Sequence, residues 1–166
     1  MRKDFETRLA PLGLQLPDIP APRGNYVGVT VHGGIAYVSG QVSRLADEVI
    51  TGRVDQDTPG DIIKLAAETC VLRALRTLTS AGDGYAFDRV LFLRGFVNAS
   101  PSFTTHSAVL DGASDLLHAI FGERGRHSRS AIGVASLPSS GLLEIELIVA
   151  LTEKQDTPTP LTGGFS

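Results

Sequence analysis

The segment "RSAIGVASLPSSGLLEIELIVAL", residues 129–151, restricts the fold more than any other stretch of the chain. It consists of two runs of small, β-branched and leucine residues around Pro138-Ser139-Ser140-Gly141, the pattern of strands flanking a turn. Side chains alternate along a strand, so Glu144 and Glu146 share one face while Leu143, Ile145 and Leu147 take the other. A turn centred between Ser139 and Ser140 predicts a hairpin with Ala135 opposite Glu144, Gly133 opposite Glu146 and Arg129 near Ala150. The acidic face is then lined by Ala131, Gly133 and Ala135, small residues that leave room for another chain or for a ligand. In that hairpin six residues of strand, at ~3.3 Å each, separate Arg129 from the level of Glu144 by about 20 Å. A site using both groups would be shared between protomers. Without such a site, the acids are solvated on an exposed sheet face and Arg129 caps its strand.

The remaining elements follow from local signals. "YVGVTVHGGIAYVSGQ" has two alternating runs around His32-Gly33-Gly34, predicting a hairpin from Tyr26 to Ser39. "EVITGRV" is a weaker strand candidate. Thr58-Pro59-Gly60-Asp61 supplies an N-cap, a first-turn proline and an acid for a helix running to about Leu78. Its apolar face is predicted from Ile62, Leu65, Ala66, Thr69, Leu72 and Leu75. "DRVLFLRGFVN" reads as a strand. A second helical region starts at Ser102, breaks at Asp111-Gly112 and resumes to Phe121, with Gly122 as C-cap. The order is β-β-(β)-α-β-α-β-β, an α+β domain with a mixed sheet and helices on one face. Residues 1–22, with "LPDIPAP", form a lead-in to a domain spanning 23–152, and the Pro-, Thr- and Gly-rich tail 153–166 cannot bury much.

Composition excludes several classes. The chain has 166 residues, enough for one domain with a real core. One cysteine, Cys70, predicted in a helix and inert, excludes intrachain disulfides and cysteine-based zinc sites. The formal charge of -3 and the absence of Trp argue against nucleic acid as a partner. No window approaches the ~18 apolar residues of a membrane span, so the chain reads as soluble and cytoplasmic. The four histidines lack metal-ligand spacing, and no metal is expected. In "ERGRHSR", His127 beside Arg126 and Arg129 could serve a phosphate or a base, but reads first as a solvated cluster. Ser39 lacks a nucleophile-elbow context, and "GGIAYVSG" does not lead from a strand into a helix as a nucleotide loop does.

"RSAIGVASLPSSGLLEI", with "NYVGVTV", "VSGQ" and the helix after Pro59, resembles the Rid/YjgF family, the reactive intermediate deaminases, some of which carry the label L-PSP endoribonuclease. The resemblance spans roughly Tyr26 to Leu151. It implies a chorismate-mutase-like fold and a homotrimer whose sheets form a central barrel with sites in the clefts between subunits. It further implies that Arg129 binds a substrate carboxylate as a fork, that Glu144 orients or activates water, and that Tyr26 and Ser39 line the pocket. Ala131 stands where many deaminating members have Cys, and the second-helix asparagine of the family falls near His106 or Ser107.

The implied reaction is cofactor-independent hydrolysis of an amino-acid-derived enamine or imine of the 2-aminoacrylate type to a 2-keto acid and ammonia. Positioning and one acid/base group suffice for it, since the imine carbon is already electrophilic. The alternatives are a non-catalytic carboxylate-binding or regulatory trimer and, further off, RNA cleavage or translation inhibition.

Overall fold

The computed structural model describes residues 1–154; the tail predicted for 153–166 lies outside the described residues from 155 onward. A helix α1 (Arg2–Leu9) precedes the hairpin β1 (Val29–His32) and β2 (Ile35–Val42), a small ribbon β3 (Arg44–Leu45) and β4 (Glu48–Val49), and the long helix α2 (Gly60–Leu78). Strand β5 (Tyr85–Asn98), helices α3 (His106–Val109) and α4 (Asp111–Phe121), and strands β6 (Ser128–Val134) and β7 (Leu143–Glu153) complete the chain. The main sheet has five strands in the order β1-β2-β7-β5-β6. It is mixed, because β5 and β6 run parallel while the other neighbours are antiparallel.

The predicted hairpin forms about the His32-Gly33-Gly34 turn, but over residues 29–42 rather than from Tyr26 to Ser39, so Tyr26 lies in the lead-in bend and not on a strand. Gly33 and Gly34 both take positive φ, 56° and 73°, the turn whose twist matches two-residue hairpins. The "EVITGRV" candidate contributes only β4, bridges at Thr51 and Val54, and no strand of the main sheet.

The hairpin predicted for residues 129–151 does not form. Strand β5 is inserted between its two arms: Phe96 pairs with Glu144 on one side and with Ile132 on the other. Glu144 therefore faces Val42 and Phe96 rather than Ala135, Glu146 faces Arg94 rather than Gly133, and Arg129 lies beside Leu93 rather than Ala150. The eight-residue connection 135–142 passes over the end of β5 and is held there by Asn98. The buried Asn98 side chain donates to the Gly52 and Gly141 carbonyls at 2.8 and 3.1 Å, and its backbone N–H to Leu142 at 3.0 Å. Strand β7 buries Leu143, Ile145, Leu147, Val149 and Leu151. A strand with so apolar a face belongs in mid-sheet, where neighbours on both sides satisfy its backbone.

That face of β7 packs beneath α2, which buries Ala66, Ala67, Cys70, Val71, Ala74, Leu75 and Leu78. The buried face is rotated from the predicted one: Ile62 and Leu65 remain 38% and 41% exposed, because small residues let the helix approach the sheet on its alanine side. Thr58 does not cap the helix either. Its hydroxyl is turned back to Asp55, and Pro59 occupies the cap position. The second helical region starts at His106 rather than Ser102 and breaks at Leu110, one residue before the predicted Asp111-Gly112, and Gly122 closes α4 at φ 59°. Helix α1 lies inside the body of the fold, since Phe5 and Leu9 are fully buried and Phe5 meets Phe87 and Phe121 edge to face at 5.7 and 5.4 Å. The opposite sheet face carries no helix and presents Tyr37, Leu91, Ile132, Arg94 and Glu146.

Candidate functional site

The residues singled out in the sequence fall into two groups, which the fold keeps apart. The first surrounds Glu144. Strand β2 slips register against β7 between Val38 and Gln41, so Ser39 and Gly40 form a bulge opposite the start of β7. The Glu144 carboxyl lies against the Cα of Gly40, in the space that a β-carbon would fill. Tyr26, Gly28, Gly40 and Glu144 line one cavity of about 270 Å³, closed on one side by Pro20–Pro22. Ser39, expected to line the pocket, is not among the residues lining it; its hydroxyl donates to the Val27 carbonyl at 2.7 Å. Glu144 forms no ion pair among the described residues, and burial, followed by the neighbouring Glu146, raises its pKa above the ordinary carboxylate value. Glu146 is paired instead with Arg94 at 3.1 Å.

The second group lies at the far edge of the sheet, on the helix side. Arg129 of β6 reaches under α3 and α4, donating from Nη1 to the Ser114 hydroxyl at 2.9 Å and from Nη2 to Ser107 Oγ at 2.8 Å and Asp111 Oδ1 at 3.0 Å. Ala131 is two residues along the same strand, paired with Gly95. His106, not Ser107, takes the next place above the strand. Its ring sits on Gly133, where only a hydrogen leaves room, and its Nε2 is buried without a partner. His127 is half-buried rather than solvated: Nδ1 donates to the Gly125 carbonyl at 2.7 Å and Nε2 lies 3.2 Å from the Ser114 hydroxyl. Burial lowers its pKa, and the hydrogen bond to Gly125 opposes that shift only in part.

Arg129 and Glu144 do not meet within one chain. They are two strands and three residues apart, roughly 14 Å through the sheet, and their side chains leave opposite faces. Sequence reasoning missed Gly40, Arg44 and Arg73 beside Glu144, and Asp111 and Ser114 beside Arg129. Asp111 was legible only as a helix interruption, and nothing local marks Arg44 and Arg73 as neighbours.

The chemistry open to the first group is proton transfer by a half-buried carboxyl with its oxygens free. The second offers a guanidinium fork already satisfied in part by Asp111. No set of three or more His, Cys, Asp or Glu side chains among the described residues is placed to hold a metal. Cys70 is buried against the Leu143 carbonyl, with its thiol pKa driven far up by burial. No helix among the described residues is long and apolar enough to cross a membrane.

Known proteins share this arrangement of elements. Protein TCP17 of Trypanosoma cruzi is 40% identical over 143 residues, covering 84% of this chain and 89% of its own. A protein of unknown function from Agrobacterium tumefaciens has a crystal structure that superposes with a TM-score of 0.81 at 37% identity, over 91% of this chain and 94% of that one. A protein described as a "putative endoribonuclease" from Shewanella oneidensis MR-1 gives 0.80 at 32% identity, over 88% and 98%. Residues 6–151 match the family described as "YjgF/chorismate mutase-like, putative endoribonuclease". With the mixed sheet, its helical cover and nearly the whole chain accounted for by that match, this protein belongs to the Rid/YjgF family.

Proposed function

We propose that the protein hydrolyses reactive imines and enamines of the 2-aminoacrylate type to 2-keto acids and ammonia, without a cofactor, as a homotrimer. The carrying observation is the Glu144 carboxyl: half-buried, unpaired, shifted toward its neutral form and facing a cavity large enough for a small amino-acid derivative. Such a group can accept a proton and return it within one turnover at neutral pH. The enamine first takes a proton at its terminal carbon to become the protonated imine; water adds to the imine carbon while Glu144 takes its proton, giving a neutral carbinolamine. Glu144 passes that proton to the nitrogen and takes up the hydroxyl proton as the carbonyl forms and the C–N bond breaks, and this last proton leaves with the ammonia as ammonium.

Arg129 supplies the carboxylate anchor, but across a subunit boundary. Since Arg129 and Glu144 leave opposite faces of one sheet, a neighbouring copy must bring its Arg129 to this Glu144. The uncovered sheet face with Tyr37, Leu91 and Ile132 supports such an assembly, because monomers rarely leave a large apolar patch in water. Light scattering coupled to gel filtration tests it: a trimer is expected, and a monomer refutes the shared site.

The activity is tested by keto-acid release from imines generated by an amino-acid oxidase. Acceleration is expected from wild type and is lost in Arg129→Ala and Glu144→Ala. One observation favours a second reading, a carboxylate-binding trimer without turnover: Asp111 already holds the Arg129 fork, and Ala131 brings no reactive group to it. Stabilisation by a keto acid with no turnover across a panel of imines would establish that reading instead.

A further inference from the structure

Three arginines from distant parts of the sequence converge at the mouth of the Glu144 cavity. Arg23 ends the proline-rich segment, Arg44 opens β3, and Arg73 comes from the middle of α2. All three line both the 270 Å³ cavity and an adjoining one of about 740 Å³, which shares the Pro20–Pro22 wall. None forms an ion pair among the described residues, whereas Arg2, Arg8, Arg94, Arg126 and Arg129 each hold a carboxylate within 4 Å.

The carboxylates nearby do not neutralise the cluster. Asp18 and Asp47 line the outer cavity and Glu144 the inner one, yet none lies within ion-pair distance of the three guanidinium groups. Asp47 contributes only its backbone carbonyl, which accepts from Arg44 Nη1 at 3.0 Å, while Arg44 Nη2 donates to the Ser139 hydroxyl at 3.2 Å. Arg73 is the least satisfied. Its Nε is buried with no acceptor, and its Nη1 has a single 3.5 Å contact to the Arg44 carbonyl. Burial lowers its pKa, Cys70 opposes that shift, and the like charges of Arg44 and Arg23 add to it.

Holding three like charges together with a buried N–H unmet opposes folding. A ligand that brings several acceptor oxygens and two negative charges relieves both costs, and guanidinium forks match such oxygens in pairs.

We propose that Arg23, Arg44 and Arg73 form a binding site for a dianionic oxyanion group, a phosphate ester or a dicarboxylate, on the ligand that reaches Glu144. The ligand then carries negative charge at two ends, one at this cluster and one at Arg129. This deepens the reading of the Glu144 cavity as the reaction site, on which it rests for location. The anion binding itself is read without turnover.

The test compares thermal unfolding of the full chain in inorganic phosphate, in succinate and in acetate, against sodium chloride at equal ionic strength. Phosphate or succinate should raise Tm saturably, and whichever does so names the group; acetate, a monoanion, should raise it less. Arg23→Gln, exposed, and Arg44→Gln, half-buried at the rim, should weaken the apparent affinity about tenfold each, while Arg129→Gln and Glu144→Gln retain the phosphate shift. Arg73→Gln should lose the shift and melt higher than wild type in chloride alone, since it removes the unpaired charge. Equal shifts in chloride and in the two dianions, or a dianion affinity unchanged in Arg44→Gln, would overturn the proposal. Loss of turnover in Glu144→Gln with the anion shift intact would separate the two claims.

Discussion

Gly40→Ala isolates the position of the Glu144 carboxyl from the rest of the fold. The backbone of Gly40 is outside the positive-φ region, so alanine meets no conformational penalty there. Its β-carbon would stand 2.9 Å from Cδ of Glu144, and closer still to a carboxylate oxygen. Ordinary carbon contacts of about 3.5–4.0 Å require Cδ to retreat by roughly 0.6–1.1 Å, and the nearer carboxylate oxygen by more. A displacement of that size at a reacting group costs about a hundredfold in rate, or ~2.7 kcal/mol of barrier. Stability should change little, within about 1 kcal/mol, because the far end of a flexible side chain moves and the alanine lowers the entropy of the unfolded chain. The assay is kcat/KM for imine hydrolysis beside Tm for wild type, Gly40→Ala, Glu144→Ala and the double variant. The double variant should be no slower than Glu144→Ala alone, since Gly40 acts only through the carboxyl. Wild-type kcat/KM in a folded Gly40→Ala protein, or additive losses in the double variant, would refute the reasoning.

Other outcomes follow from the same geometry. Because burial and Glu146 raise the Glu144 pKa, the folded state holds that proton more tightly than the unfolded chain; the linked stability is complete below the ordinary 4.5 and is lost as pH rises through the raised value. Glu144→Gln should therefore melt higher than wild type near about pH 8 and level with it near about pH 4, and a constant difference across that range would contradict the shift. Phe5→Ala should cost about 3–5 kcal/mol in denaturant unfolding, as for any large aromatic lost from a core; a loss under ~1 kcal/mol would show α1 to be dispensable. Asp111→Ala frees one arm of the Arg129 fork and should tighten pyruvate binding several-fold by calorimetry, whereas weaker binding would make Asp111 a positioning residue. Burial lowers the His127 pKa, so stability tied to it is present above the ordinary 6.5 and falls as pH drops through the lowered value. His127→Gln should flatten that acid-side loss in Tm.

Much of this protein was legible before any tertiary contact. Periodicity placed β1, β2, α2, β5 and α4, the Gly33-Gly34 turn and the Gly122 cap, because each depends on backbone preferences within a few residues. Alternation alone put Glu144 and Glu146 on one face of β7 and Leu143, Ile145 and Leu147 on the other, as observed. The partners of those faces were not legible. A period of two fixes which way a side chain points but says nothing about which strand lies beside it, and "ASLPSSGL" reads equally as a hairpin turn or as a passage over the end of another strand. Asn98, 43 residues from Gly141, decided between them by pinning the passage across β5. That insertion sent Arg129 beneath the helices and left Glu144 on the other side of the sheet, and it allowed Arg23, Arg44 and Arg73 to converge from three separate elements. Local sequence sets the conformation of each segment, but the choice of neighbours rests on burying all the apolar faces at once, a condition that only the whole chain can satisfy.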